Sequence, residues 1–195
     1  MAQPLPVLLM TRPPDASERF AASLRARGLL FRPVISPLFA IEPRGPLPGT
    51  EGLRGLIFTS ANGVACWDAL GGRKDLPVYT VGPATARAAR AAGMVAQGAD
   101  GGVEELRDWL LALKPPVPLL HVHGTHVSGD LSGQLTRAGL QCGSVAVYDQ
   151  PRLPLTPEAR AAMGISEGFF RVSVGLEPID ALQATFAEGR KAAGA

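Results

Sequence analysis

Cysteine and lysine are both scarce in this 195-residue sequence, and each shortage excludes a class of protein. Two cysteines, Cys66 and Cys142, cannot make a disulfide framework, and neither has a Cys-x-x-Cys partner for a metal. Each sits in an apolar run, where a small buried core residue is expected. The only lysines are Lys74, Lys114 and Lys191, and 19 basic residues face 17 acidic ones. That balance lacks the footprint of a nucleic-acid binder, and no nucleic-acid partner is expected. The positive charge is mostly scattered arginine, which suits carboxylate or phosphate. No apolar run approaches a membrane span, and the start Met1–Pro6 lacks the basic residues and apolar length of a signal peptide. A cytoplasmic protein without membrane contact is therefore expected. The phosphate loop G-x-x-x-x-G-K-[ST], a convincing G-x-G-x-x-G and the G-x-S-x-G elbow are all missing.

What the sequence has is alternation. It is 46% hydrophobic, enough for one large or two small cores. Short apolar runs alternate with helical periods, the sign of α/β architecture. Val7–Thr11 predicts a strand, Asp15 or Ser17 a helix start, Gly28 its stop, and Leu30–Ile35 a second strand. That first helix would carry Phe20, Ala21 and Leu24 on its apolar face. Segment 36–48 holds Pro37, Pro43, Pro46 and Pro48, which exclude a helix and predict an extended linker. Strands then follow at Gly55–Thr59, Pro77–Val81, Val95–Gln97, Leu119–Val122 and Ser144–Tyr148. Helices at Ala61–Leu70, Ala84–Ala92, Val103–Leu113 and Ser128–Ala138 separate them. Five strands and four helices in strict alternation fit a parallel, doubly wound sheet.

In such a sheet, ligands bind outside the carboxyl ends of the strands. The loops there are Thr11-Arg12, Thr59-Ser60-Ala61-Asn62-Gly63, Val81-Gly82-Pro83-Ala84-Thr85 and His123-Gly124-Thr125. Strands that run almost directly into helices through small and hydroxyl residues make anion seats from unpaired amides. Ser60 and Thr85 have an alternative reading as plain helix caps. His121 and His123 fall on one face of a strand, with His126 in the next loop. No nearby carboxylate completes an obvious metal site, so none is expected. Tyr148, at a strand end, is the remaining candidate proton donor, with a half-buried structural aromatic as the alternative.

Four segments stand out in order along the chain: Val7-Leu8-Leu9-Met10-Thr11-Arg12-Pro13, Ile57-Phe58-Thr59-Ser60-Ala61-Asn62-Gly63-Val64, Val81-Gly82-Pro83-Ala84-Thr85-Ala86 and Val147-Tyr148. Together they resemble uroporphyrinogen-III synthases. The resemblance covers residues 1–150. It implies an α/β fold of two flavodoxin-like lobes joined by a two-stranded linker, and a monomer. Residues 1–35 with 156–195 would form the first lobe, 36–48 and 149–155 the linker strands, and 49–148 the inserted second lobe. It further implies cyclisation of hydroxymethylbilane, a small-molecule tetrapyrrole poly-carboxylate, with inversion of ring D, loss of water and no cofactor. Tyr148 would take a catalytic role in helping the hydroxyl leave. Arg12, Thr59, Ser60, Asn62, Gly82, Pro83, Thr85 and Gly124 would bind substrate. His123 stands where relatives often carry arginine.

The tail departs from that pattern. Residues 156–186, above all Gly164–Glu177, are similar to the end of the pyridoxal-phosphate enzymes of cysteine and methionine metabolism. There the arginine matching Arg171 grips a substrate carboxylate. The body that would bind that cofactor, with its Schiff-base lysine, is absent, so pyridoxal-phosphate chemistry is not expected. A strand at Phe169–Val174 and a helix at Ile179–Lys191 would give a reduced, atypical first lobe. The alternative to an enzyme is then a non-catalytic anion- or tetrapyrrole-binding protein.

Overall fold

The computed structural model describes residues 5–165 and Glu188. The strands are β1 (Val7–Met10), β2 (Arg32–Ile35), β3 (Glu42–Pro43), β4 (Gly55–Phe58), β5 (Val78–Thr80), β6 (Ala96–Gly98), β7 (Leu119–Gly124) and β8 (Cys142–Asp149). The helices are α1 (Pro14–Arg25), α2 (Ala61–Ala69), α3 (Pro83–Ala91), α4 (Val103–Leu113), α5 (Leu131–Arg137) and α6 (Pro157–Ala162). The fold is mixed α/β with two sheets. The chain divides into one unit of Met1–Leu38 with Leu153–Ala195, and another of Phe39–Arg152.

In the first unit β1 and β2 pair in parallel from Val7↔Arg32 to Met10↔Ile35. Helix α1 starts on Pro14, after Pro13 at the cap position with no side-chain cap. This corrects the expected start at Asp15 or Ser17. Proline already has the first-turn φ and lacks the N–H that would need a cap. Ser17 is instead fully buried, and its hydroxyl donates to the Arg12 carbonyl at 3.0 Å. Gly28, at φ 80, ends that turn as expected. Phe20 is also corrected: it is 41% exposed rather than core. Helix α6 is capped by Thr156, whose Oγ accepts from the Ala159 amide at 3.2 Å. The Thr156 amide donates to the buried Ser36 Oγ at 2.9 Å, so residues 120 apart in sequence meet. The predicted strand Phe169–Val174, most of the predicted helix Ile179–Lys191, and Arg171 lie outside the described residues.

The second unit carries a six-stranded sheet in the order β3-β8-β7-β4-β5-β6. Its five strands β4 to β8 are parallel, and only β3 runs antiparallel, against the end of β8. Around β3, the Arg44 amide donates to the Val147 carbonyl and the Ala40 amide to the Pro151 carbonyl. No helix forms in 36–48. Four prolines there remove donors and disfavour helical backbone at the residues before them.

Helices cover both faces of the parallel sheet, which is why every residue of β4, Gly-Leu-Ile-Phe, is buried. On one face Leu56, Phe58, Val78 and Val147 pack with Trp67 of α2. The Phe58 and Trp67 rings meet edge to face at 6.3 Å, and the indole N–H donates to the Arg73 carbonyl at 2.9 Å. On the other face Ile57 and Leu119 pack with Leu106 and Leu110 of α4 and Leu135 of α5. Both cysteines are free and buried, and burial pushes the Cys142 thiol up to about 11. Helix α5 begins at Leu131 rather than at Ser128. Asp130 is the cap that sets this start, its carboxylate accepting from the Gly133 amide at 2.8 Å. The residues just before it form a loop instead of a first turn.

Candidate functional site

The order of the parallel strands places one gap in the pattern of connections. From the central strand β4 the chain steps outward to β5 and β6, then returns to the other side of β4 to form β7 and β8. The segments leaving β4 and β7 therefore diverge at their carboxyl ends, which opens a crevice where ligands characteristically bind. A cleft of about 240 Å³ lies there, and its walls include Thr59, Ser60, His121, His123, Gly124 and Tyr148.

Thr59 and Ser60 come straight from β4. Ser60 is extended, at φ −154 and ψ 141, and its Oγ accepts from the Asn62 amide at 3.0 Å. Ser60 is thus a true N-cap and also a wall of the cleft. The Thr59 hydroxyl lies 3.2 Å from His121 Nε2. His121 is 5% exposed. Burial, and then the neighbouring His123, push it down to about 4, against a smaller upward pull from Asp130. The His121 and His123 rings sit 4.8 Å apart. His123 Nδ1 lies 2.6 Å from the Gly124 carbonyl. A carbonyl only accepts, so Nδ1 carries the proton and Nε2 is the free nitrogen.

Gly124 is buried at the end of β7, where the register against β8 shifts and pairs it with Tyr148. A side chain on Gly124 would collide with the Tyr148 ring, so glycine is what lets that ring cross the strand end. Tyr148 itself is 5% exposed. Its hydroxyl has no hydrogen-bond partner among the described residues, and it is not sealed off as an unsatisfied buried atom. A phenol so placed has its one proton free for whatever enters the cleft.

Of the residues singled out in the sequence, the cleft collects Thr59, Ser60, Gly124 and Tyr148. Asn62 contributes its amide to the Ser60 cap. Gly82 and Pro83 form the start of α3 at the end of β5, the strand beside β4, and lie outside the cleft lining. Thr85 is buried in the first turn of α3 and is not a cap, so only Ser60 fits the capping alternative. Arg12 lies in the first unit, its guanidinium 5.5 Å from the centre of the Phe20 ring. The exposed Phe20 ring thus has a cation as a neighbour. The histidines entered the sequence reading as metal candidates, with one strand histidine hydrogen-bonded in the core as the alternative, and His123 also as part of a strand-end loop. Among the described residues no three His, Cys, Asp or Glu side chains are placed to hold a metal ion. His126 is exposed beside Thr125. The alternation of His121 and His123 on the strand next to Thr59 was the available signal for a cleft wall.

A family model described as uroporphyrinogen-III synthase HemD matches residues 18–167. The chain belongs to the uroporphyrinogen-III synthase family. Among solved structures it is similar to uroporphyrinogen-III synthetase from Helicobacter pylori, with a TM-score of 0.50 and 16% identity. That match covers 71% of this chain and 64% of the other, so the chain spans less than two thirds of the length of that relative. A mutant uroporphyrinogen III synthase from Thermus thermophilus matches at a TM-score of 0.49 and 19% identity, over 83% of this chain and 70% of its own. No curated protein sequence matches. At these identities the structural likeness speaks to the fold alone. Among the described residues no helix is long and apolar enough to cross a membrane.

Proposed function

We propose that this member of the uroporphyrinogen-III synthase family catalyses the reaction its family is named for. Hydroxymethylbilane, a linear tetrapyrrole, is closed into uroporphyrinogen III with inversion of ring D and loss of water. The observation that carries this reading is the Tyr148 hydroxyl, without a partner among the described residues, in a cleft that also holds the Ser60 cap and Thr59. Tyr148 donates its proton to the departing hydroxyl as a general acid. Thr59, Ser60 and Gly124 form the surrounding seat for substrate carboxylates. Arg12, Asn62, Gly82, Pro83 and Thr85 are assigned further substrate contacts from the loops at strand ends. The cleft of about 240 Å³ suits one arm of the substrate, not four pyrrole rings. The substrate is itself reactive, so much of the catalysis lies in holding it in one geometry.

The test is product identity. Full-length protein is supplied with enzymatically generated hydroxymethylbilane, and the isomers of uroporphyrinogen are separated. Predominance of isomer III is expected, and isomer I alone rejects the activity.

Ser60 offers a second, finer check, because its two jobs respond differently to substitution. Ser60→Ala removes the cap and is expected to cost about 1 kcal/mol of stability, whereas Ser60→Gly costs only a few tenths. Trp67 and Trp109, the only tryptophans of the sequence, both report on the second unit by fluorescence during urea unfolding. If the hydroxyl also binds substrate, both variants raise KM equally despite their unequal stabilities. A KM that follows stability instead would leave Ser60 as a cap only.

A further inference from the structure

The proposed reaction leaves His121 without a task, although this ionisable side chain of the cleft wall is as buried as Tyr148. A histidine enclosed beside Ile57, its partner across the β4–β7 ladder, is a costly choice where an aliphatic residue would pack. Its one hydrogen-bonding neighbour among the described residues is Thr59, at 3.2 Å from Nε2. We propose that His121 is a positioning residue that donates Nε2–H to the Thr59 oxygen and so turns the Thr59 hydroxyl proton into the cleft as a donor for a substrate carboxylate.

The direction of that hydrogen bond follows from what each alternative leaves unmet. A neutral imidazole carries one N–H. If that proton were on Nδ1, Thr59 would donate to Nε2. The Nδ1–H, which has no protein acceptor among the described residues and is not sealed from solvent, would then depend on water at a ring only 5% exposed. At so enclosed a position an N–H is costlier to leave short of partners than a lone pair. With the proton on Nε2, the N–H is satisfied by Thr59 and only a lone pair on Nδ1 is left over. The Thr59 hydroxyl then accepts from His121 and has its own proton to give.

The neighbours support a neutral ring. The His123 ring lies 4.8 Å away on the same strand, tilted by 44°, and its Nδ1–H is committed to the Gly124 carbonyl. Burial pushes His121 far below the ordinary histidine range. The ionisable groups facing the pair are His126 from the following loop, Tyr148 from β8 and Asp130 from the cap of α5. The Asp130 carboxylate is engaged by the Gly133 amide and Arg137. Glu105, in the first turn of α4, is turned back onto the Gly102 amide. A neutral ring still serves the seat, because its N–H goes to the Thr59 oxygen and leaves the hydroxyl as the donor.

This inference rests on the carboxylate-bearing substrate of the proposed function, so its test uses a readout that turnover does not decide. The first measurement is ¹⁵N NMR of the histidine rings in the full chain. The expected His121 signature is the neutral Nε2–H form from pH 6 to 8, and a neutral Nδ1–H form or an imidazolium there overturns the proposal. The second is fluorescence titration with uroporphyrin, a stable octa-carboxylate tetrapyrrole. Thr59→Val is expected to weaken binding about tenfold, as for loss of one donor to a charged acceptor. His121→Leu keeps the volume and is expected to weaken it about threefold, while His121→Gln, whose amide N–H still reaches Thr59, recovers most of that loss. The double variant is expected to bind no worse than Thr59→Val alone. Additive losses overturn the coupling. Loss of isomer III formation with these results intact would reject the proposed activity and leave the positioning role standing.

Discussion

Replacing Tyr148 by phenylalanine is expected to lower kcat for isomer III formation by about a hundredfold or more, with KM and the unfolding midpoint nearly unchanged. A positioned general acid is worth about 10² to 10⁴ in rate, and the phenol is the most acidic of the cleft hydroxyls and has no hydrogen-bond partner among the described residues. The stability prediction follows from the same fact. A hydroxyl that makes no hydrogen bond to the described residues leaves no orphaned partner among them when it is deleted. A variant at the neighbouring strand checks that placement matters as well as chemistry. Gly124→Ala puts a methyl group inside the Tyr148 ring. The ring must move, so kcat falls although the phenol is present, and overpacking costs about 1–3 kcal/mol of stability. A Tyr148→Phe enzyme with unchanged kcat would remove Tyr148 from the chemistry. Full activity in Gly124→Ala would show that the ring's position is immaterial.

The stability of the second unit is expected to carry a histidine-shaped loss on the acid side. His121 falls from its ordinary 6.5 to about 4 in the folded protein because burial penalises the charged ring. Between these values the unfolded chain binds a proton that the folded chain refuses. Unfolding is therefore favoured as pH drops through this window. The stability is complete above about pH 6.5 and is lost progressively down to about pH 4. That difference corresponds to about 3 kcal/mol. His121→Leu removes the titrating group, so the loss should vanish from the difference between the two proteins' profiles. Carboxylates held below their ordinary range by hydrogen bonds, such as Asp75 with Arg73 and Glu105 with its own amide and that of Gly102, destabilise both proteins at lower pH and cancel. Urea midpoints followed by tryptophan fluorescence from pH 4 to 8 provide the measurement. Parallel curves for wild type and His121→Leu would mean that the ring reaches its proton in the folded state.

The fold of the second unit was legible because its signals are local and periodic. Gly-Leu-Ile-Phe at 55–58 is an apolar run too short for a buried helix, and Leu106 and Leu110 repeat at helical spacing. Boundaries moved where one residue's chemistry outweighed the period. Pro14 started α1 without a cap, and Asp130 delayed α5 by three residues relative to Ser128. The Ser60 cap, on which the proposed anion seat rests, was legible for a related reason, since a hydroxyl residue between a strand and a helix announces a cap.

The rest depended on pairing between distant strands. That β7 lies beside β4, and not beside β6 which precedes it, is what brings His121 to Thr59 and Gly124 to the same cleft as Ser60. Sixty-two residues separate Thr59 from His121, and no local preference encodes which strand docks against which. Sequence spacing by itself raised the three histidines as metal candidates or as one core histidine with two exposed, without saying which partner a buried one would meet. Burial and one hydrogen bond instead made His121 a neutral partner of Thr59, because desolvation acts on a side chain only once the sheet has closed around it. The residue types and their order along the chain determined the α/β elements and the hydroxyl-bearing strand ends. The order of strands in the sheet decided which of those ends share a cleft, since that order follows from burying both faces of the whole sheet at once.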